Sequence, residues 1–541
     1  MIKHLILLIS CLLAGTVVLA QPDIDDQSVR ITKKFEAQLA EAEKLKVEPT
    51  LPNETTTPSP LRYDIALKEL VVAYDAPRIR PVSMRGEKLP EDFKGYFKFG
   101  GGFPLGLFAE AGYHTYSKNE NFRIGVDFDH YNANNNSSVE NQKYASTGAD
   151  IKGSYYFDQG FAVEGDLGFN RDVYHFYGYN FDGSNETEIP DDDVRQEFDL
   201  LDFNARIFNS EATVADFTYS AGVSYYLLND NYGVTEQDVD LDLMGTKWLN
   251  DQHELTVQIL SDFTGYSEVE KQSLNNFYIR PSFTFHQDNF KVKAGVNLAW
   301  HDDTAFFFPD ASAEYNLLDS RLAVFVGAEG NLEKNTFRKL TEYNPYLSSR
   351  NAIGFLENTS LNHFFGGVKG SVSIFDYNAQ AGYKDAKNLP LYVPTDADDV
   401  RRRYNVVYDT VGIVNVSGSV IANVLSNLQV VGTFNTNIYD PENEEKAWGL
   451  PSVTVNAAVI HTTLDDKLQL RGDLFLQDGI PFPNELELNR LLDLSIGAEY
   501  TFSKNFGGWL RVNNLANNKY ERWQYYPTFG INVLAGISAR F

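Results

Sequence analysis

The chain has 541 residues, of which 43% are hydrophobic and 14% aromatic, with 31 Tyr and 38 Phe. This length leaves room for more than one domain, and the aromatic content favours β-structure. The formal net charge of −28 at pH 7 argues strongly against nucleic acid as a partner, because phosphate binding needs a basic surface. The only cysteine, Cys11, lies in the leader predicted below, so we expect no disulfide and no cysteine metal site in the mature chain.

A secretory signal peptide is predicted at residues 1–20. Lys3 and His4 precede the apolar run LILLISCLLAGTVVL, and residues 18–20 offer a cleavage site before Gln21. No later segment reaches the roughly 18 consecutive apolar residues of a transmembrane helix. An exported chain of alternating strands without such a helix is expected to cross a membrane as a closed barrel.

Residues 21–93 are predicted to form a periplasmic N-terminal segment. A narrow apolar stripe amid Lys and Glu predicts a helix over about 27–48, and a stretch rich in Pro, Thr and Ser predicts a linker over 49–62. Two interpretations of the helix stay open. It is either an amphipathic helix without a specific partner, or a docking helix for a periplasmic protein or for the mouth of the barrel.

From residue 94 to the end, about 22 candidate strands alternate apolar and polar side chains. Positions 122, 124, 126 and 128 are apolar, for example, whereas positions 123, 127 and 129 are charged. An Arg that faces lipid costs about 2–4 kcal/mol at the bilayer midplane, so the apolar set should point outward and the polar set toward a wet lumen. The pattern predicts an all-β fold, a transmembrane antiparallel outer-membrane β-barrel over 94–541. Counts of 20 or 18 strands and a soluble array of β-sandwiches are the alternatives.

The connections between these strands alternate in length. Tight turns are predicted near 158–160, 250–252, 287–289, 319–320, 376, 426–427, 465–466 and 503–505, and longer polar loops near 132–143, 180–194, 334–360, 384–403, 438–451, 478–490 and 514–529. Short turns on one side and long loops on the other are typical of outer-membrane barrels. An even strand count would then place both termini in the periplasm.

The C-terminal segment carries a succession of short motifs. VNNL stands at 512–515, NKYE at 518–521 and YP at 526–527, followed by Gly530 and a terminal Phe541. This succession resembles the C-terminal end of TonB-dependent receptors, with Ile531 where that family usually has Arg. The resemblance implies a 22-stranded outer-membrane barrel with a plug domain. Only residues 21–93 precede the expected barrel, so we expect a standard plug to be missing.

Two further segments are interpreted through this resemblance. The sequence LKELVVAYD at 67–75 resembles a TonB box, an extended segment that adds a strand to a partner's sheet; an ordinary strand or tether is the alternative. The candidate partner-binding residues there are Leu67, Glu69, Leu70, Val71 and Val72. At the other end of the chain, the apolar face of the last strand predicts a barrel-assembly signal formed by Ile537, Ala539 and Phe541.

The sequence indicates no catalytic, cofactor-binding or metal-binding residues, and we expect no enzyme activity. Acidic clusters at 191–193, 396–399 and 440–445 could hold Ca²⁺, but none has a complete ligand loop and solvated loops are favoured. The basic run at 401–403 is predicted to pair with the second cluster or with lipopolysaccharide phosphates. Aromatic residues near strand ends are predicted to form interfacial girdles: Tyr155, Tyr156, Tyr225, Tyr226, Trp248, Trp509 and Trp523.

The sequence thus predicts an outer-membrane protein that transports or gates a solute, with a structural scaffold in an outer-membrane complex as the alternative. A lumen of this size is too wide for side chains alone to fill. Folded-in loops, residues 21–93 or another protein must therefore occupy it. The candidate partners are outer-membrane lipid and lipopolysaccharide, TonB or another periplasmic protein acting through residues 21–93, and other outer-membrane proteins.

Overall fold

The computed structural model describes residues 93–541, apart from gaps at 118–120, 181–187, 212, 214, 269, 319–320, 349–355, 396–398, 400 and 484–485. The chain divides into two units, Met1–Glu87 and Lys88–Phe541, and all described residues belong to the second. The signal peptide, helix, linker and TonB-box-like segment predicted before residue 93 therefore lie outside the described residues.

Within the described part of the chain, 22 strands form one antiparallel sheet that closes on itself, which confirms the predicted barrel. The wall strands are β1 (Gly95–Phe103), β2 (Leu105–Tyr116), β3 (Phe122–Asn134), β4 (Lys143–Tyr156), β5 (Phe161–His175), β6 (Arg195–Asn209), β7 (Phe217–Asp230), β8 (Thr235–Leu249), β9 (His253–Ser267), β10 (Lys271–Gln287), β11 (Phe290–His301), β12 (Thr304–Asn316), β13 (Ala323–Lys334), β14 (Asn358–Val372), β15 (Phe375–Pro394), β16 (Tyr404–Leu425), β17 (Leu428–Pro441), β18 (Val453–Thr463), β19 (Leu468–Asp478), β22 (Leu491–Thr501), β23 (Phe506–Asn513) and β26 (Asn532–Arg540).

Short elements lie in the connections. Two small hairpins pair β20 (Pro481–Phe482) with β21 (Leu486–Glu487), and β24 (Glu521–Trp523) with β25 (Tyr526–Pro527). The described helices are a 3₁₀ turn at Gly178–Asn180 and α-helices at Asp191–Val194 and Phe337–Tyr343. Among the described residues, no helix is both long and apolar enough to span a bilayer.

The sheet closes where the first strand meets the last. β1 pairs with β26 over eight residues, and Gly95 and Phe541 exchange backbone hydrogen bonds of 2.8 and 2.9 Å. A side chain at Gly536 would place its Cβ 2.0 Å from the Phe99 carbonyl oxygen on β1, so only glycine allows this close approach.

The two ends of the barrel differ as the sequence predicts. The end that holds Gly95 and Phe541, hereafter the turn end, carries short connections such as 250–252, where Asn250 and Asp251 adopt φ of 53° and 54°. Consecutive positive φ values suit a tight hairpin. The opposite end, hereafter the loop end, carries the long connections, together with short ones at 104 and 302–303. Two boundaries differ from prediction: the turn expected at 376 lies at 373–374, and β15 continues to Pro394, so its loop starts at 395 rather than 384.

The two faces of the wall have opposite chemistry. On β3, Ile124, Val126 and Phe128 point outward and are 37–44% exposed. Their neighbours point inward: Arg123 stacks on Tyr156, and Asp127 pairs with His114 across the strands. The predicted orientation, with apolar side chains outside and charged side chains lining the lumen, is confirmed.

Candidate functional site

The structure describes part of the predicted site residues. Leu67, Glu69, Leu70, Val71 and Val72 lie outside the described residues, so TonB contact through them stays a prediction. At the other end of the chain, Ile537 points outward from β26 and is 58% exposed, and Ala539 lies on the same face. Phe541 follows the strand and is 63% exposed beside Gly95. Their role in barrel assembly also stays a prediction.

The loop end is closed by a buried cluster that the sequence did not indicate. We call the connections that meet there the cap; they are the described residues of 135–142, 176–194, 231–234, 335–357, 395–403, 442–452, 479–490 and 514–531. One hydrophobic cluster contains buried residues from nearly all of them. Because these connections leave the wall at β3 to β8 and at β13 to β26, on opposite sides of a closed ring, they can share one cluster only by meeting over the mouth.

Trp523, in the last connection, lies at the centre of the cap and is 4% exposed. Its ring contacts the rings of Tyr404, Tyr392 and Tyr343 at centroid distances of 5.2, 5.4 and 5.7 Å. The Arg522 guanidinium lies 4.2 Å from the Trp523 ring centroid. The prediction that Trp523 belongs to an interfacial girdle is therefore wrong, since this residue joins loops to one another and does not face lipid.

A second aromatic group lies beside the first. The rings of Tyr346 and Tyr526 stack at 3.6 Å with an interplanar angle of 16°, and Tyr177 meets Tyr526 edge-on at 5.1 Å. The Tyr526 hydroxyl donates to the Arg401 carbonyl (2.7 Å), and the Tyr177 hydroxyl donates to the Pro527 carbonyl (2.9 Å). Tyr177 and Tyr526 thus bury their rings while their hydroxyls satisfy backbone carbonyls of other loops.

Backbone hydrogen bonds also join the loops. Tyr404 donates its N–H to the Tyr346 carbonyl (3.0 Å), and Ser348 donates to the Tyr404 carbonyl (2.9 Å), which forms a short parallel bridge. Gly449 donates to the Pro481 carbonyl at 2.9 Å. The cap is therefore a folded layer with its own hydrogen bonds, because adjacent loops satisfy each other's backbone groups.

A buried carboxylate fixes the cap to the wall. Glu236, at the top of β8, is fully buried and accepts hydrogen bonds from the backbone N–H groups of Phe337 (2.6 Å) and Arg338 (3.0 Å), and from the Tyr226 hydroxyl (2.9 Å). These N–H groups open the helix Phe337–Tyr343 and have no partner within it. Tyr226 consequently faces inward and does not belong to the predicted girdle.

A buried lysine joins the end of β13 to β8 and β9. Lys334 ends β13, and its ammonium group contacts the carboxylates of Asp238 and Asp262 and the Thr264 hydroxyl on β8 and β9. Its side chain is 7% exposed. Asp238, Asp240 and Asp262 form a group spaced as metal ligands are, but the ammonium of Lys334 already contacts two of its members.

The upper part of the strand pair β13–β14, which carries Lys334, leans over the inner wall. β13 pairs with β12 only over the half nearer the turn end, and its upper half continues paired with β14 alone. The Tyr278 hydroxyl on β10 donates to the Leu332 carbonyl (2.8 Å), and Asn276 and Asn358 exchange side-chain hydrogen bonds of 2.9 and 3.0 Å. This anchoring positions the connection 335–357 over the mouth.

Two carboxylates of the acidic loop clusters form ion pairs with nearby basic groups. Asp191 pairs with Lys143 at 2.5 Å, and Asp399 pairs with Arg403 at 2.9 Å, as predicted for the basic run. Burial alone would raise the pKa of the Asp399 carboxyl, but hydrogen bonds from Arg403 and Thr395 outweigh it and hold that pKa below its ordinary value. The pKa of Asp191 is likewise lowered, because the Lys143 hydrogen bond and the charges of Lys143, His175 and Arg195 together outweigh burial.

The fold can be placed among known structures. No protein-family model and no curated protein sequence matches the chain. Solved structures that it resembles include the FrpB iron transporter from Neisseria meningitidis, with a TM-score of 0.65 and 9% identity over 84% of this chain and 82% of that one. The pyoverdine outer-membrane receptor FpvA from Pseudomonas aeruginosa gives a TM-score of 0.61, with 11% identity and 84% and 79% coverage. The copper transporter OprC gives a TM-score of 0.60, with 11% identity and 84% and 81% coverage.

These likenesses concern the fold, because sequence identity is low in each case. The predicted class of closed antiparallel outer-membrane barrel is confirmed by the structure and by these neighbours. The chain has the fold of outer-membrane receptor and transporter barrels.

Proposed function

We propose that the protein is an outer-membrane barrel through which a solute crosses, and that the cap is its gate. The observation that carries this proposal is the aromatic cluster over the mouth of a wide barrel with a polar inner wall. A closed mouth above a wet lumen suits controlled passage, since a barrel of this size without an obstruction would leak.

The gate is built from a part that can separate from the wall. The cap meets the wall through individual hydrogen bonds, such as those to Glu236 on β8 and to Asp409 on β16, and through apolar packing, whereas each wall strand is held by a continuous hydrogen-bonded ladder. Elements without such a ladder open at lower free energy than the sheet. The cap can therefore rearrange while the barrel stays intact.

The fold neighbours support a transport role by analogy only, because related barrels can host different functions. We further propose that residues 67–75 contact TonB or another periplasmic protein, with both chain termini in the periplasm. Deleting 67–75 should abolish energised uptake while the barrel still assembles. Uptake unchanged by the deletion would remove TonB coupling from the proposal.

Conductance in planar bilayers tests the gate directly. The wild-type protein should conduct poorly, and Trp523→Ala should conduct strongly, because it removes the centre of the cap. Trp300→Ala is the matched control, since Trp300 lies on β11 with its ring against the outward-facing Phe277. Equal conductance of all three proteins would refute the gate.

A structural scaffold is the second candidate, and the same sealed mouth favours it. The link of the cap to the wall at Glu236 is buried, as expected of a permanently closed barrel. A scaffold would stay non-conducting even after Trp523→Ala and would co-purify with other outer-membrane proteins. The bilayer experiment thus separates the two candidates.

A further inference from the structure

A row of aromatic side chains crosses the inner wall from β23 to β5. Its first member, Trp509, points toward the lumen, because Phe506 and Leu510 on the same strand point outward and are 54% and 47% exposed. The prediction that Trp509 belongs to an interfacial girdle is therefore wrong. A side chain at Gly100 on β1 would place its Cβ 2.5 Å from the Trp509 ring, so glycine at this position lets the ring lie against the wall.

The rings follow one another from strand to strand. Phe108 on β2 meets Trp509 at a centroid distance of 5.2 Å and stands directly opposite Tyr131 on β3. The Tyr131 ring lies 6.1 Å from that of Tyr144 on β4, which lies 5.0 Å from that of Tyr174 on β5. Each of these five side chains is only half-buried, so part of each ring is open to the lumen. We call the five rings the aromatic track.

The track begins directly beneath the cap. Tyr174 is the last residue but one of β5 at the loop end, and its ring meets that of Tyr346 in the cap at 6.4 Å and 77°. Tyr346 is the ring that stacks on Tyr526 inside the cap. The aromatic cluster of the cap thus continues into the lumen as the track, and a solute that passes the opened cap would meet Tyr174 first.

Charged side chains surround the other end of the track, at Trp509. They line a recess of about 430 Å³, a volume typical of small-molecule sites. Lys98 pairs with Glu499 at 2.8 Å, and Arg471 pairs with Asp473 at 2.7 Å. The recess is lined by three positive and three negative side chains: Lys98, Arg471, Arg511, Glu110, Asp473 and Glu499. Its charge is therefore balanced.

This combination of rings and balanced charges selects a class of ligand. An apolar ligand would leave the polar groups of the recess without hydrogen-bond partners, which is unfavourable. An ion of either sign would meet as many like charges as opposite ones. A neutral sugar unit satisfies both requirements, because its C–H face packs on an aromatic ring while its hydroxyl groups donate and accept hydrogen bonds.

We propose that the solute of this barrel is a neutral oligosaccharide, that the aromatic track is its path along the wall, and that the recess beside Trp509 binds one of its ends. This inference rests on the proposed transport function and names its substrate class. Five rings in succession offer several similar, weak binding positions. Such an arrangement suits passage, since a permeating solute must bind well enough to enter and weakly enough to leave.

Block of the single-channel current in planar bilayers tests the track. Three neutral hexasaccharides that differ in linkage, maltohexaose, cellohexaose and isomaltohexaose, are added in turn to Trp523→Ala, and at least one should interrupt the current reversibly. Adding Trp509→Ala or Tyr131→Ala should weaken the block about fivefold or more, whereas Trp509→Phe, which keeps a ring, should retain most of it. Trp300→Ala, on the outer face, is the matched control and should leave the block unchanged. The block should also be equal at low and high KCl, because a neutral ligand is not screened.

The outcomes separate this inference from the proposed function. No conductance in Trp523→Ala refutes the gate, and calorimetric titration of the same sugars into the wild-type protein and Trp523→Ala in detergent then decides the substrate class. In either experiment, an effect that weakens in Tyr131→Ala but not in Trp300→Ala supports the inference. Conductance that none of the three sugars blocks, binding that is absent for all three, or equal effects in the track and control variants overturn it.

Discussion

Replacing Trp523 by alanine should open the cap without unfolding the barrel. Trp523 contacts the rings of Tyr343, Tyr392, Tyr404 and Phe482 at centroid distances of 5.2–6.3 Å. Removing a buried Trp side chain costs about 3–5 kcal/mol in well-packed sites. Part of this cost is the loss of aromatic pairs, each contributing about 0.5–1.5 kcal/mol beyond burial.

This loss acts on the local opening of the cap, because none of the wall ladders passes through Trp523. At about 1.4 kcal/mol per factor of ten, the equilibrium constant for opening should rise between about 100-fold and about 4,000-fold. Open probability in single-channel records measures it directly. Amide hydrogen exchange at Tyr392 and Tyr404, wall residues whose N–H groups donate to carbonyls of the cap, measures it independently.

Trp300→Ala is the control that distinguishes opening of the cap from a general effect of removing a tryptophan. This variant also removes a tryptophan, but from the wall, where its ring meets Phe277. The prediction is refuted if the two variants open equally. It is also refuted if, in Trp523→Ala, the amide hydrogens of the wall exchange as fast as those of the cap. The second result would mean that the cap and the barrel unfold together.

Three further predictions concern the attachments of the cap and the closure of the barrel. Glu236→Ala should leave two N–H groups of the cap helix without an acceptor, each costing about 1–3 kcal/mol. Proteolysis within 335–357 should therefore accelerate in Glu236→Ala, and Glu236→Gln should show a smaller effect. The pKa of the Asp399 carboxyl is lowered in the folded protein. Its contribution to the stability of the cap is therefore present above the ordinary carboxyl pKa near 4 and is lost as pH falls through the lower folded value. Acid-induced opening of the cap, monitored by Trp fluorescence, should be weaker in Asp399→Asn, and an identical acid transition in both proteins would contradict this. Deleting Phe541 should reduce the yield of assembled barrel, measured by heat-modifiable mobility in gels, because its backbone closes the sheet against Gly95; an unchanged yield would remove its assembly role.

Much of the barrel could be predicted from the sequence because its signals are local. Alternation at positions such as 122–129 depends only on the period of a strand between lipid and water. Tight turns such as 250–252 depend on residues that tolerate positive φ. The predictions were less accurate at Pro394, because the end of β15 is set by its partner β16 and by the cap, not by its own residues.

The cap could not be predicted in the same way. Its core is built from connections far apart in sequence; Tyr346, for example, stacks on Tyr526. No local periodicity in the sequence indicates such a contact. One signal was available: the segment WQYYP at 523–527 is unusually aromatic for a solvated loop. The girdle interpretation assigned Trp523 to the lipid interface, since strand-end aromatics usually lie there. Burial among other loops was the competing explanation, and the structure supports it.

The central claim is that folded loops close the mouth of the barrel above a wet lumen. Labelling of Asp150→Cys on intact cells with a bulky, membrane-impermeant maleimide tests it most directly, since Asp150 lies midway along β4, opposite Asp127 and on the face away from the outward-facing Ile151. We expect almost no labelling in the otherwise wild-type protein and rapid labelling once Trp523→Ala is added. Equal, rapid labelling of both proteins would contradict the claim.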